Sequence, residues 1–181
     1  MTEDPSLLPT ARVPSIPPDE RILYFARDRA AFGFLSHFHP SPILLDGETW
    51  PTAEHFYQAQ KSDHPDYRAA IRAAVSPGRA KRLSAPPDAP RRVSHNSWFR
   101  KNGVTPRADW HEVKLDIMRR ADWAKYSQNP ELARMLLATG SAELIEDSPF
   151  DLFWGTGRDG RGQNWAGRVL MEVRERLRSG S

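Results

Sequence analysis

With 181 residues, the chain has room for one domain with a hydrophobic core, and too few residues for two of ordinary size. Its residues are 39% hydrophobic and 27% charged, which is typical of a globular protein, and no apolar run approaches the ~18 residues of a membrane span. The absence of cysteine excludes disulfides, thiolate metal sites and cysteine nucleophiles. The first residues lack the apolar segment of a signal peptide, so we expect a cytoplasmic protein without membrane contact.

The N-terminal segment of the chain is rich in proline. Five of the 16 prolines lie within the first 18 residues, among few large apolar side chains. Such a segment buries too little apolar surface to offset the entropy of ordering it. We therefore expect a disordered proline-rich tail over residues 1–20 and a single domain over residues 21–179.

Two short apolar runs open the expected domain, at residues 21–25 and 42–45. Asp46-Gly47 is a strong turn signal, and residues 48–50 can form a return strand. The sequence thus predicts a small antiparallel element within residues 21–50.

Helices are predicted for most of the remaining chain. Thr52 can cap a helix over residues 53–62, and Ser76 can cap the next one, with Pro77 in its first turn. Residues 86–107 look like a loop, after which Asp109 and Glu112 have the spacing of a capping box. Further helices are expected from Asn129 to Gly140 and from Trp165 to Leu177. The predicted fold is mainly α (α+β) in a single domain.

The predicted helix after Thr52 carries an unusual polar row. Glu54, Gln58 and Lys61 are spaced i, i+4 and i+7, so they share one face, beside Tyr57. A carboxylate is favoured in the first helical turn on structural grounds alone. The aromatic neighbours suggest instead that the face is enclosed, where a carboxylate becomes a proton carrier and a lysine a usable amine.

A glycine-rich loop over residues 151–164 precedes the last helix. Glycines at positions 155, 157, 160 and 162 would let backbone N–H groups approach an anion, and the helix start adds positive potential. The spacing matches neither the dinucleotide fingerprint nor the P-loop. Trp154 could stack on a base, and it could equally be a core aromatic.

Two further patterns concern charge and metals. Residues 79–101 hold seven basic side chains against Asp88 alone, which fits a phosphate-bearing partner as well as a solvated basic loop. His37 and His39 have no cysteine or carboxylate cluster nearby, so the sequence favours no metal site.

Glu54 and Asp151 remain candidates for a glycosidase-like carboxylate pair.

Taken together, these residues give a specific family resemblance. The chain resembles the NADAR superfamily, also called YbiA-like, along nearly all of residues 24–177. The matches, in order, are Phe34-Leu35-Ser36, Pro40-Ser41-Pro42-Ile43, Asp46-Gly47, Trp50-Pro51-Thr52, Glu54-His55, Gln58-Ala59-Gln60-Lys61, Ser76-Pro77, Asp109-Trp110, Lys114, Met118, Leu136-Leu137, Thr139-Gly140, Glu146, the loop 151–164, Gly167, Leu170-Met171 and Arg174.

The resemblance implies a mainly helical fold and cleavage of N-glycosidic bonds to ribose derivatives. One branch of the family splits phosphorylated intermediates of riboflavin synthesis, and the other removes ADP-ribose from guanine in nucleic acid, reversing DNA ADP-ribosyltransferase toxins. The family's catalytic and binding pattern carries over to Glu54, Trp110 and Asp151, with Lys61, Trp154 and Asn164 as neighbours.

The chain departs from the family pattern in two places. His37 and His39 stand where asparagine and an aromatic or small residue are common. The segment 86–107 is longer than in compact riboflavin-type members and adds Trp98, Arg100 and Lys101. Aromatic and basic side chains suit nucleic-acid contact, although a lid or a tether would also explain them.

Our prediction is an ADP-ribosyl glycohydrolase that acts, without a metal or other cofactor, on ADP-ribosylated guanine in DNA or a related nucleotide. A DNA ADP-ribosyltransferase toxin would be its counterpart. Alternatives are an N-glycosidase of riboflavin intermediates and a non-catalytic ADP-ribose-binding module. The predicted catalytic residues are Glu54, Lys61 and Asp151. The predicted substrate-binding residues are Tyr57, Gln58, Trp110, Trp154, Gly155, Gly157 and Asn164, and the nucleic-acid contacts are Trp98, Arg100 and Lys101.

Overall fold

Helices are the main secondary structure of the computed structural model, which describes residues 20–25 and 31–180. The predicted tail lies outside the described residues except for Glu20. The strands are β1 (Arg21–Tyr24), β2 (Ile43–Leu45), β3 (Glu48–Trp50) and β4 (Glu143–Glu146), and a 3₁₀ helix spans Gly33–Leu35. The α-helices are α1 (Ala53–Ala59), α2 (Pro65–Arg72), α3 (Pro77–Leu83), α4 (Arg91–Ser94), α5 (Trp98–Asn102), α6 (Trp110–Ser127), α7 (Pro130–Leu137) and α8 (Trp165–Ser179). In the described part of the chain, no helix is long and apolar enough to cross a membrane.

The strands form two separate pairs. Strands β2 and β3 make the predicted antiparallel hairpin, and both Asp46 and Gly47 adopt positive φ in its turn. Strand β1 instead pairs in parallel with β4, which places Tyr24 opposite Glu146. The prediction that residues 21–25 join the antiparallel element is therefore wrong, because their partner lies far along the chain in a strand that the sequence did not indicate.

The predicted helix starts are mostly confirmed. Thr52 Oγ1 accepts a hydrogen bond from the N–H of His55 at 3.2 Å, and Ser76 Oγ caps α3 in the same way. The first of these helices ends at Ala59, three residues earlier than predicted. The capping box at Asp109 is absent, because its carboxylate accepts hydrogen bonds from the guanidinium of Arg107 at 2.6 and 2.8 Å.

The segment 86–107 is not a plain loop, contrary to our prediction, since it holds α4 and α5. Pro90 stands just before α4, where a missing backbone N–H costs nothing. Ser97 caps α5 through its side chain, and Gly103 ends that helix at φ 64°. The prolines therefore mark helix boundaries in this segment.

Helix α6 is shared by two hydrophobic clusters. The first surrounds α1 and includes Trp50, Phe56, Tyr67, Phe99 and Met118. The second surrounds β1, β4 and α8 and includes Tyr24, Leu35, Tyr126, Leu144 and Leu170. Because α6 packs against both α1 and α8, it fixes α1 relative to the β1–β4 pair.

Candidate active site

A cavity of about 880 Å³ is lined from both sides, by α1 and by the segment that begins at the end of β4. Helices α3 and α4, the segment after the 3₁₀ helix, Met118 of α6 and Ala166 of α8 also line it. Its polar and charged lining consists of Ser36, His37, Glu54, Tyr57, Gln58, Lys61, Lys81, Arg82, Arg92, Glu146, Ser148 and Asp151. The polar row of α1 therefore faces a cavity.

Glu54 and Lys61 are joined by a short hydrogen-bonded chain. Gln58 Nε2 donates to Glu54 Oε1 at 2.8 Å, and Ser84 Oγ donates to Gln58 Oε1. Lys61 Nζ donates to the carbonyl and hydroxyl oxygens of Ser84 at 3.3 and 3.4 Å. The carboxylate and the amine are thus fixed relative to each other, and Ser84 is a member of the site that the sequence did not indicate.

Lys61 has the environment of an amine that can lose its proton. Its ammonium lies 5.3 Å from the centroid of the Trp110 ring. Burial lowers the pKa of Lys61 to about 8, although the charge of Glu54 opposes the shift. On the order of one tenth of the lysine would be neutral at pH 7, which suffices for a nucleophile.

The predicted aromatic residues take two positions. Trp154 lines the cavity and packs edge-on against Tyr57, with ring centroids 5.5 Å apart. Trp110 lies against the same tyrosine at 4.9 Å and does not line the cavity. Trp110 therefore supports Tyr57 and Lys61 from behind, whereas Trp154 is the tryptophan placed to touch a substrate.

Asp151 both lines the cavity and holds the turn that carries Trp154. Its Oδ1 accepts hydrogen bonds from the N–H groups of Phe153 and Trp154, at 3.0 and 2.8 Å. Two backbone donors on one carboxylate oxygen fix the orientation of the group. Asp151 is suited to electrostatic stabilisation more than to proton transfer.

Much of the glycine-rich loop uses its backbone N–H groups within the protein. The N–H groups of residues 161–166, at the start of α8, all donate to protein oxygens. A Cβ at Gly155 would meet Glu146 O at 2.8 Å, and Gly157 has φ 69°. Asn164 binds the backbone of β4 at Leu144 and Glu146. These residues attach the loop to β4, and Gly155, Gly157 and Asn164 do not line the cavity.

The basic segment 79–101 is divided by the fold. Lys81, Arg82 and Arg92 line the cavity. Arg100 donates to the carbonyls of Pro87 and Ala89, so its guanidinium holds the segment together. Neither Arg100 nor the exposed Lys101 lines the cavity.

Trp98, the third predicted nucleic-acid contact, is partly buried against other aromatic side chains. Its ring lies 5.4 Å from Tyr67 and 6.1 Å from Phe99, in the cluster around α1. It does not line the cavity. Its side chain thus anchors α5, and the cationic side chains of the segment 79–101 that line the cavity belong to α3 and α4.

Glu146 and His37 were given no catalytic role by the sequence, and both line the cavity. Glu146 ends β4, and burial raises its pKa to about 7, with His37 and Lys81 opposing the shift. Glu146 appeared among the family matches, but without a predicted strand its position could not be placed. His37 had been considered as a metal ligand and as a departure from the family pattern.

The raised pKa of Glu146 gives a testable effect on stability. The folded state favours the neutral carboxyl of Glu146. The contribution of this group to the free energy of unfolding is therefore fully present below pH 4.5, its ordinary pKa, and is lost as the pH rises through about 7. Between pH 5 and 8, Glu146→Gln should therefore gain up to ~3 kcal/mol of unfolding free energy relative to wild type. Urea unfolding at both pH values measures this.

Glu143→Gln is the matched control, because Glu143 lies on the same strand with its side chain 50% exposed. It should follow the wild-type pH dependence. If Glu146→Gln also followed the wild type, the carboxyl would not be neutral in the folded protein at pH 6.

Comparison with known proteins shows which proteins this chain is similar to. A family model described as NADAR domain matches residues 24–178. The N-glycosidase YbiA of Escherichia coli (strain K12) is 40% identical over 158 residues, covering 87% of this chain and 89% of the relative. The riboflavin biosynthesis protein VVA0006 of Vibrio vulnificus is 39% identical over 158 residues, but the chain spans only 39% of its length.

Comparison with solved structures finds one of the same relatives. The NMR structure of E. coli YbiA matches with a TM-score of 0.76 and 36% identity, covering 94% of this chain and 92% of that one. The predicted mainly helical fold with small sheets is thereby confirmed. A chloroplastic riboflavin biosynthesis protein from Zea mays, PYRR, is 38% identical over 183 residues and covers 91% of this chain, which spans 27% of that protein.

Proposed function

Because the chain belongs to the NADAR domain family, we propose that it is an N-glycosidase that cleaves the bond between a ribosyl group and a base. The observation that carries this proposal is the series of hydrogen bonds that runs along the cavity from Glu54 through Gln58 and Ser84 to Lys61. It provides a carboxylate and an amine of lowered pKa in one cavity. A relative that shares most of its length with this chain is named an N-glycosidase.

For the substrate, we propose ADP-ribose joined to guanine in nucleic acid or in a nucleotide. A volume of about 880 Å³ lies near the upper end for small-molecule sites, so an ADP-ribosyl group has room. Lys81 and Arg82 supply cationic side chains for the two phosphates, and Arg92 on α4 supplies one for a phosphate of the nucleic-acid backbone. Phe150 at the cavity is 79% exposed, with the Arg158 guanidinium 5.3 Å from its ring, which suits stacking of a neighbouring base.

The bond can be cleaved with the sugar ring closed. A water oxygen bonds to the anomeric carbon and gives its proton to Glu54. The carbon–nitrogen bond breaks, its electron pair stays on the nitrogen of the base, and that nitrogen takes a proton from an acid in the cavity. Asp151 stabilises the positive charge that develops on the sugar.

The bond can also be cleaved after the sugar ring opens to an imine. The neutral amine of Lys61 adds to that carbon, and the base leaves as an amine after taking a proton. Water then hydrolyses the lysine imine, which returns the free sugar and the lysine. The hydrogen bonds from Lys61 to Ser84, from Ser84 to Gln58 and from Gln58 to Glu54 hold the amine and the carboxylate in fixed positions, and Glu54 exchanges these protons with the reacting groups through water in the cavity.

A second candidate substrate is a phosphorylated intermediate of riboflavin synthesis, which the names of two relatives favour. Parallel assays separate the candidates. One follows release of ADP-ribose from a modified oligonucleotide, and the other follows release of ribose 5-phosphate from the pyrimidine intermediate. Our proposal requires the first substrate to be turned over faster, and binding of ADP-ribose without turnover of either substrate would show a binding module.

Arg92 should contribute to binding of modified DNA through a phosphate contact. Arg92→Ala is expected to weaken this binding and to reduce the slope of log affinity against log salt by about 0.7–0.9. Titrations at several salt concentrations measure the slope. Arg91→Ala is the matched control, since Arg91 is the exposed neighbour on α4 and does not line the cavity.

Lys101→Ala belongs in the same series, because the sequence had suggested a contact there. We expect its slope to equal that of the wild type. A reduced slope for Lys101→Ala with an unchanged slope for Arg92→Ala would show that α5, and not α4, contacts the nucleic acid.

A further inference from the structure

Among the described residues, three carboxyl groups line the cavity, and they differ in the hydrogen bonds that they accept. Glu54 Oε1 accepts one from Gln58 Nε2, and Asp151 Oδ1 accepts two from backbone N–H groups. The carboxyl group of Glu146 accepts none from the described residues. Because a carboxyl group without donors has the least to gain from ionisation, Glu146 is the one best suited to carry a proton.

The carboxyl oxygens of Glu146 are not sealed in the interior. In the described chain, side-chain atoms that are shielded from solvent and also lack a hydrogen-bond partner belong to Tyr24, Gln60, Asp122 and Arg174. Glu146 is not among these residues although its oxygens have no partner either, so its oxygens keep solvent access. Since the residue lines the cavity, this access is from the cavity, and a bound substrate can contact the group.

The backbone of Glu146 is fixed on both sides. Its N–H donates to Asn164 Oδ1 at 3.0 Å, and its carbonyl accepts a hydrogen bond from the N–H of Thr156 at 3.1 Å. On the other edge of β4, strand β1 pairs in parallel, with Tyr24 opposite Glu146. The glycine-rich loop and Asn164 therefore hold the strand end that presents this carboxyl group to the cavity.

The electrostatic surroundings of Glu146 keep part of it protonated at neutral pH. Burial raises its pKa to about 7, and two nearby carboxylates add to the rise, whereas His37 and Lys81 oppose it. The titratable groups that interact with its charge are Tyr24, His37, Glu54, Lys81, Lys125 and Asp151. About half of the Glu146 carboxyl groups therefore carry a proton at pH 7.

Cleavage of the bond by either route needs an acid that protonates the nitrogen of the base as it leaves. We propose that Glu146 is this acid and hence a further catalytic residue. This proposal rests on the proposed glycosidase function. In the ring-closed route, the carbon–nitrogen bond breaks, its electron pair moves to the nitrogen, and the nitrogen takes the carboxyl proton of Glu146.

The remaining protons of the ring-closed route balance through water. The attacking water bonds through its oxygen to the anomeric carbon and gives one proton to Glu54. Solvent then removes that proton from Glu54 and returns one to Glu146. The net reaction adds one water across the bond.

The same acid serves the ring-opened route, because the base again leaves through its nitrogen. The neutral amine of Lys61 adds to the imine carbon, and the nitrogen of the base takes the proton of Glu146. The bond between that nitrogen and the carbon breaks, and its electron pair leaves with the base. The role of Glu146 is therefore the same in both routes.

The experiment compares Glu146→Gln with the wild type from pH 5 to 9, using the full chain and the substrate that the wild type cleaves. At pH 6 we expect the variant to lose about 10²–10⁴-fold in kcat, while KM changes by only a few-fold. The ratio of the two kcat/KM values isolates Glu146, because both proteins share Glu54 and Lys61. It should be constant below about pH 6 and fall about tenfold per pH unit above about pH 8, as the wild-type carboxyl ionises.

Glu143→Gln is the matched control, since Glu143 lies on the same strand, is 50% exposed and pairs with Arg21 outside the cavity. Its rate and its pH profile should equal those of the wild type. A Glu146→Gln variant that is slower by the same factor at every pH would show a structural role and overturn the proposal.

Glu146→Asp decides the case if Glu146→Gln fails to fold. It keeps an acid but withdraws it from the substrate by one methylene, so we expect about a 10²-fold loss in kcat with the alkaline fall of the profile retained. An Asp variant with the wild-type rate would overturn the requirement for an acid held at this position.

The proposed function and this inference fail differently. If Glu146→Gln is as active as Glu143→Gln while Glu54→Gln is inactive, the role of Glu146 is wrong and the glycosidase assignment stands. If the wild type cleaves neither substrate class, both are wrong.

Discussion

Glu54→Gln is expected to lose turnover by about 10²–10⁴-fold while the fold and the affinity for ADP-ribose stay unchanged, because it removes a general acid–base group. The amide is nearly isosteric with the carboxylate, and its oxygen can accept the hydrogen bond from Gln58 Nε2 that Glu54 Oε1 accepts at 2.8 Å. Packing around the 5% exposed side chain should therefore remain intact. Loss of rate without loss of binding would locate the effect in the proton transfer.

Single-turnover rates on the modified oligonucleotide, calorimetric titration with ADP-ribose and thermal unfolding test this prediction together. Glu112→Gln provides the matched control, since Glu112 also lies in the first turn of a helix but is exposed. Its rate should equal that of the wild type. More than a tenth of the wild-type rate in Glu54→Gln would rule out Glu54 as the proton carrier.

Lys61→Arg is expected to abolish activity if the ring-opened route operates, because a guanidinium keeps the charge but forms no imine with the sugar. Borohydride added to the wild type during turnover should reduce the imine and fix one sugar adduct on the protein. Peptide mass mapping should place that adduct on Lys61. Arg at this position should give neither product nor adduct.

The pH dependence of trapping is a further readout of the same lysine. Since burial lowers the pKa of Lys61 to about 8, about half of the amine is neutral at that pH, and the neutral fraction levels off roughly one pH unit higher. The yield of adduct should therefore rise from pH 6 to about 9 and change little above it. An exposed lysine would continue to gain neutral amine well above pH 9.

Lys101→Arg is the control for this substitution, because Lys101 is exposed and outside the cavity. It should retain both turnover and the adduct on Lys61. An active Lys61→Arg variant, together with wild-type protein that traps no sugar, would leave the ring-closed route through Glu54. In that case the hydrogen bonds of Lys61 to Ser84 would serve only to orient Gln58.

The sequence by itself determined the features that depend on neighbouring residues. Thr52 caps α1, Asp46 and Gly47 form the hairpin turn, and the i, i+4 and i+7 spacing places Glu54, Gln58 and Lys61 on one face. These features arise from backbone geometry over a few residues, so they can be read from local residue types. The family resemblance likewise rests on ordered motifs along the chain, and it identified the fold.

Only the tertiary structure decided which distant segments share the cavity. The parallel pairing of β1 with β4 brings Glu146 to the wall, and α6 brings Asp122 to His37 across 85 positions. The tertiary structure also showed that the loop N–H groups at residues 161–166 donate to protein oxygens and that Arg100 binds carbonyls of its own segment. Sequence alone could not show this, because packing decides which side chains and N–H groups face the cavity and which are used within the protein, and long-range contacts determine that packing.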